Sequence, residues 1–237
     1  MLRVRSLLFA VYMGASALVM GILCLPALLR RDWCLAVSKA WAGSVLLMLQ
    51  VLCGLGHRVR HPERLPRGAG LLAVKHQSMW ETLALTVILE RPCFVLKKEL
   101  SRIPVFGWYC RGNGFVFVDR ADGARALRSM TKGAQRAAGE GAQVVIFPEG
   151  TRAGVGEALP YHPGVAALAR AMDCPVVPVA HDAGRYWLHP SLLRKPGTIT
   201  VDVLPPIPAQ TPRRALMAAL TDAIEPATRA LERGEAS

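Results

Sequence analysis

Residues 71–82 read Leu71-Leu72-Ala73-Val74-Lys75-His76-Gln77-Ser78-Met79-Trp80-Glu81-Thr82. The apolar run Leu71–Val74 reads as a strand and Ser78–Leu89 as the helix that follows it. A histidine at a strand end, just before a helix N-terminus, sits where side chains project from a rigid sheet into a cleft. Glu81 lies five residues on, in the first helical turn. Because His76 precedes the helix in a turn, that carboxylate can reach back to the ring. A carboxylate accepting from one ring nitrogen leaves the other free to take a proton from an attacking hydroxyl. Taken alone, Ser78-x-x-Glu81 is also a capping box that satisfies free N–H groups at the helix start.

Outward from this unit the texture repeats. Further strands are expected at Cys93–Leu96, Phe115–Val118, Val144–Phe147, Val176–Val179 and Thr198–Val203, and helices at Gly123–Ala138 and Val165–Met172. Pro212 is placed to open a last helix at its first position. Such alternation predicts an α/β domain over residues 58–237, a mixed sheet flanked by helices.

The first 57 residues differ. Ser6–Leu29 carries no charge, with Arg3 and Arg5 before it and Arg30 and Arg31 after it; Ala40–Gly56 is a second uncharged run, following Lys39. A bilayer span needs about 20 apolar residues, so the first run is long enough and the second is at the short limit. Two apolar helices with a short basic connector form a hairpin membrane motif, either crossing twice or lying re-entrant in one leaflet, with Trp33 and Trp41 as interfacial anchors. A cleaved signal peptide fits less well, since the run is too long and no small-residue cleavage site follows; Leu23 before Cys24 argues against a lipoprotein.

Composition narrows the chemistry. Six cysteines at 24, 34, 53, 93, 110 and 174 form no CxxC pair, and six scattered histidines form no HExxH motif, so reduced thiols and no metal are expected. A net charge of +12 implies an anionic partner. No nucleic-acid-binding pattern accompanies it, which leaves nucleic acid resting on charge alone, and beside the apolar front end an anionic bilayer surface is the better partner.

A second motif, Phe147-Pro148-Glu149-Gly150-Thr151-Arg152, also follows a strand. Gly150 permits close backbone approach there and Arg152 offers a fork for phosphate. Together the two motifs resemble the 1-acylglycerol-3-phosphate acyltransferase family, whose signature is HxxxxD followed by FPEGTR. Lys97-Lys98-Glu99-Leu100, Ile103-Pro104, Phe106-Gly107 and Phe117-Val118-Asp119-Arg120 resemble its middle block, and Val176-Val177-Pro178-Val179 its final apolar strand. Two positions depart: Glu81 stands for the usual Asp, and Lys75 for the usual Asn before the histidine.

The resemblance implies direct transfer of a fatty acyl group from an acyl carrier protein or coenzyme A thioester to the free hydroxyl of a membrane lysolipid, giving phosphatidic acid, with no cofactor. It makes His76 and Glu81 the catalytic pair and Lys97 or Lys98 the candidate oxyanion donors. Arg120, Gly150, Thr151 and Arg152 would hold the acceptor phosphate, and Glu149 would orient an arginine or a glycerol hydroxyl. His162 and His181 lack an orienting neighbour in the sequence. Location on the cell inner membrane, with the catalytic part on the cytoplasmic side, follows from the same likeness. A sister enzyme acting on another lysolipid, such as a lyso-ornithine lipid, and a silent lipid-binding protein are the competing readings.

Overall fold

The computed structural model describes residues 1–119, 122–187 and 190–235. Seven strands form one sheet: β1 (Leu55–Arg60), β2 (Gly70–Val74), β3 (Pro92–Lys97), β4 (Val116–Val118), β5 (Gln143–Ile146), β6 (Val176–His181) and β7 (Gly197–Val203). Their order is β1-β7-β6-β2-β5-β3-β4. From β6 to β4 all neighbours are parallel; β7 runs antiparallel to β6 and parallel to β1, so the sheet is mixed. Strands β2, β3, β4 and β5 therefore end on one edge, and both motifs follow strand ends there. Ligands of open α/β sheets bind outside this edge.

Among the described residues the α-helices are α1 (Leu2–Leu23), α2 (Arg31–Cys53), α3 (Trp80–Ile88), α4 (Phe106–Gly112), α5 (Gly123–Gly139), α6 (Gly164–Met172) and α7 (Arg213–Arg233). Strand β2 is buried throughout, and its alternation divides the core. Leu71 and Ala73 join the cluster formed with α5, α6 and α7; Leu72 and Val74 join the one formed with α2 and α3. The same period continues past the strand end, with consequences for residues 75–77.

Helices α1 and α2 form the expected apolar pair, each long and apolar enough to cross a membrane. They are not alike. Helix α2 buries Ala42, Val45, Leu46, Leu49 and Cys53 in the cluster that holds Leu72, Val177 and Ile199. Helix α1 buries only Ser6, Phe9 and Gly21, and leaves Val4, Leu7, Leu8, Val11, Leu18, Val19 and Ile22 exposed. So wide an apolar surface marks an interaction site for lipid or protein. Trp33 is half exposed, as an interfacial residue would be, whereas the Trp41 indole N–H donates to Ser16 Oγ at 3.2 Å between the two helices.

Two elements escape the sequence reading. Strand β1 crosses position 57: Gly54, left-handed at φ 67°, ends α2 and turns the chain at once into the sheet. Its Leu-Gly-His-Arg-Val-Arg sequence looks like a polar connector because it is an edge strand with little to bury. Helix α4 is only seven residues long, too short for a periodic signal. Elsewhere ends shift slightly. Helix α3 starts at Trp80 rather than Ser78, because Ser78 Oγ accepts the Trp80 amide at 2.8 Å, and Pro212 caps α7 instead of lying within it.

Candidate active site

His76 stands just beyond β2, and its Nδ1 lies 2.7 Å from Glu81 Oε1. The same oxygen accepts the amides of Gln77 and Ser78, each at 2.9 Å, and Oε2 takes a longer bond of 3.2 Å from Ser78. The dyad and the cap are thus one arrangement: a buried carboxylate closes the turn 76–78 and holds the ring on it. Burial alone would raise the Glu81 carboxyl. The neighbouring His181, the bond and charge of His76 and the Ser78 amide outweigh it and hold the group down at about 2. An ionised acceptor fixes the Nδ1–H tautomer of His76 and leaves Nε2 as a base. No described residue bonds to Nε2. The ring lies against Phe147 of the second motif, centroids 4.1 Å apart at 21°, and its side chain is 17% exposed. Substrate can therefore reach it.

Glu81→Gln tests both roles at once. Glutamine retains one acceptor oxygen for the turn but removes the charge, so turnover is expected to fall sharply. Stability falls too: a carboxyl held near 2 against an ordinary 4.5 is worth on the order of 3 kcal/mol at neutral pH. The folded value is depressed, so this contribution is complete above 4.5 and is lost as pH falls towards about 2. Thermal unfolding at stepped pH should show that loss in the wild type and not in the variant.

The FPEGTR residues lie beside His76 at the end of β5. Gly150 adopts φ 68°, a left-handed turn for which glycine is suited. The Ala153 amide donates to His76 O at 2.8 Å, fastening this loop to the turn that carries His76. Glu149 is wholly buried, with Oε1 2.6 Å from Lys75 Nζ and Oε2 accepting the His76 amide at 2.8 Å, so among the described residues it faces the turn at 75–77. Burial pushes its carboxyl up, and the Lys75 ammonium and His76 amide offset this only in part. Arg152 is half-buried next to the turn, and Thr151 is exposed.

Lys97 ends β3, two strands from β2, and Lys98 follows it in a short 3-10 turn; both are exposed, and Lys98 Nζ pairs with Asp119 Oδ2 at 3.1 Å. Arg120 lies outside the described residues. His181 is buried and fully engaged, with Nε2 2.7 Å from Lys75 O and Nδ1 accepting the Ala183 amide at 3.2 Å. Burial drives its pKa down. His162 is exposed, away from a carboxylate partner among the described residues.

The sequence reading missed Lys75 as a structural centre. It is 0% exposed; its ammonium donates to both oxygens of Glu225 on α7 at 2.9 and 3.1 Å and to Glu157 O at 3.0 Å, and forms an ion pair with Glu149. Tyr161 donates to Glu225 Oε1 at 2.8 Å. The strand period was the available signal, since 75 and 77 share the parity of Leu71 and Ala73.

On the α2–α3 side of the sheet an apolar cavity of about 380 Å³ lies among α1, α2, α3 and α4. Gly14, Ala17, Trp41, Leu83, Thr86 and Phe106 are among the residues lining it. Leu83 is two residues beyond Glu81, so cavity and dyad share helix α3. Its volume falls within the roughly 300–1,000 Å³ of ligand pockets.

A histidine–carboxylate pair thus stands at the strand-end edge of a mixed sheet, with an apolar cavity at hand. Residues 56–182 match the Acyltransferase family. The chain is 36% identical over 210 residues to the 1-acyl-sn-glycerol-3-phosphate acyltransferase of Pseudomonas aeruginosa, covering 87% of this chain and 82% of that protein. It is 29% identical to the human 1-acyl-sn-glycerol-3-phosphate acyltransferase beta, over 93% and 80% of the two chains. The crystal structure of the 1-acyl-sn-glycerophosphate acyltransferase PlsC from Thermotoga maritima shares the fold, with a TM-score of 0.73 at 22% identity over 100% of this chain and 99% of that one. The chain belongs to the acyltransferase family.

Proposed function

We propose that this chain transfers a fatty acyl group from a thioester to the sn-2 hydroxyl of 1-acylglycerol 3-phosphate, giving phosphatidic acid. The observation that carries the proposal is the 2.7 Å bond from His76 to a buried carboxylate, beside a complete FPEGTR motif. The acceptor hydroxyl gives its proton to Nε2 as its oxygen attacks the thioester carbonyl. Collapse of the tetrahedral intermediate expels the thiolate, which recovers that proton from the imidazolium. Written this way the transfer is direct, so it passes through no acyl-enzyme and draws on no cofactor. The oxyanion needs donors, and Lys97 and Lys98 are the cations that the end of β3 supplies. Arg152, with Arg120, is assigned to the acceptor phosphate, where a guanidinium fork meets two oxygens. The donor is an acyl carrier protein or coenzyme A thioester, and the apolar cavity accommodates a fatty chain.

The hairpin supports membrane residence in one leaflet. A helix that shares the sheet's core, as α2 does, is unable to leave it for the bilayer centre, whereas the outer side of α1 is open to acyl chains. The location that fits is the inner membrane with the site facing the cytoplasm, where acyl thioesters are made. Lys75 gives no reason to prefer another acceptor, because its ammonium points to α7 and away from the cleft.

Purified protein, a labelled acyl thioester and lysophosphatidic acid are expected to yield labelled phosphatidic acid. Product from a lyso-ornithine lipid alone, with lysophosphatidic acid untouched, would replace the acceptor. No product from any lysolipid would remove the enzymatic reading.

A further inference from the structure

His76 is flanked by Lys75 and Gln77, and both neighbours turn to the opposite side of the sheet from the ring. Each meets a carboxylate of one helix. Lys75 Nζ binds Glu225, and Gln77 Nε2 donates to Glu232 Oε1 at 2.6 Å. Glu225 and Glu232 are seven residues apart, close to two full helical turns, so they lie on one face of α7. Glu232 Oε2 also accepts the Gly156 amide at 3.0 Å, in the loop that follows FPEGTR. Gln77 Oε1 in turn accepts the Gly184 amide at 3.1 Å beyond β6, and Arg185 Nη1 donates to Leu231 O at 3.2 Å near the end of α7. The upstream half of α7 is an ordinary packing helix, burying Leu216, Leu220 and Ile224. Its downstream half turns polar where it reaches the catalytic turn.

We infer that α7 is part of the positioning machinery of the active site: Glu225 and Glu232 grip the residues on either side of His76 and set where the imidazole stands. The inference rests on His76 being the base. These are positioning residues, since neither carboxylate touches the ring. The sheet explains the need. Past Val74 the strand has ended, and the 75–77 backbone has few ladder bonds; Lys75 N still donates to Val179 O at 3.0 Å, while the His76 amide turns to Glu149. The two side-chain tethers to α7 add to the backbone anchors that Glu149, Ala153, Glu81 and His181 give this turn. A displacement of about 1 Å in such a group costs on the order of a hundredfold in rate.

The test uses the full chain in detergent or vesicles and compares Glu232→Ala, Gln77→Ala, their double variant, His76→Ala and Glu232→Ala/His76→Ala. Glu232 is only half-buried, so its removal should leave the protein folded. Expected are a kcat lower by roughly tenfold to a hundredfold in Glu232→Ala and in Gln77→Ala, with KM for the lysolipid nearly unchanged. The double variant should be no worse than the more affected single one, because both break one tether. In the His76→Ala background the Glu232 substitution should have no further effect on turnover. Wild-type kcat in both single variants would overturn the inference, as would losses that merely follow the folded fraction measured by thermal melting, or that multiply in the double variant. If His76→Ala itself kept wild-type turnover, the base assignment would fall and this inference with it; a dead His76→Ala beside a fully active Glu232→Ala would remove the α7 role alone.

Discussion

Replacing His76 by alanine should lower kcat by about two to four orders of magnitude, the range that general-base catalysis contributes. The protein should still fold. Among the described residues the ring's one hydrogen-bond partner is Glu81, which keeps the Gln77 and Ser78 amides when the imidazole is gone. The backbone anchors of the turn, Glu149 to the His76 amide and Ala153 to its carbonyl, do not involve the side chain at all. Steady-state kinetics with lysophosphatidic acid, alongside thermal melting, separate the two effects. A variant with near wild-type kcat would require another base. Glu81 stays ionised down to about 2, so an acid limb of the rate profile near neutrality belongs to some other group.

Lys75→Met should have the largest effect on stability. It leaves Glu149 and Glu225 buried without their shared ammonium, and removing one partner of a buried ion pair typically costs about 3–5 kcal/mol. Against a total of roughly 5–15 kcal/mol for a domain, that is a large share. Adding Glu225→Gln should recover part of the loss, because one of the two stranded charges disappears. Denaturant unfolding of the single and double variants measures it. A Lys75→Met protein as stable as the wild type would mean that the cluster contributes no net energy.

Much of this architecture was legible beforehand. Apolar strand cores such as Leu71–Val74 and Val176–Val179 announce themselves because burial on both faces admits little else. The dyad could be read because His76 and Glu81 are local in sequence. What stayed hidden was long-range: Lys75 meets Glu225 across 150 positions and Gln77 meets Glu232 across 155. No spacing rule links such pairs. The inward contact of Glu149 stayed hidden for a related reason, since it meets Lys75 only once β5 pairs with β2. Helix α4 and strand β1 were lost because one is too brief and the other too polar to carry a period.

The shared core of α2 and the sheet bears on any attempt to obtain a soluble fragment. Trimming the chain to begin at residue 58 would strip Val45, Leu46 and Leu49 from Leu72, Val177 and Ile199 and cut β1 in mid-strand. The hairpin is less a detachable anchor than one wall of the house, and water-soluble variants are better sought by recolouring the outward residues of α1, such as Leu7, Val11 and Leu18, with polar side chains.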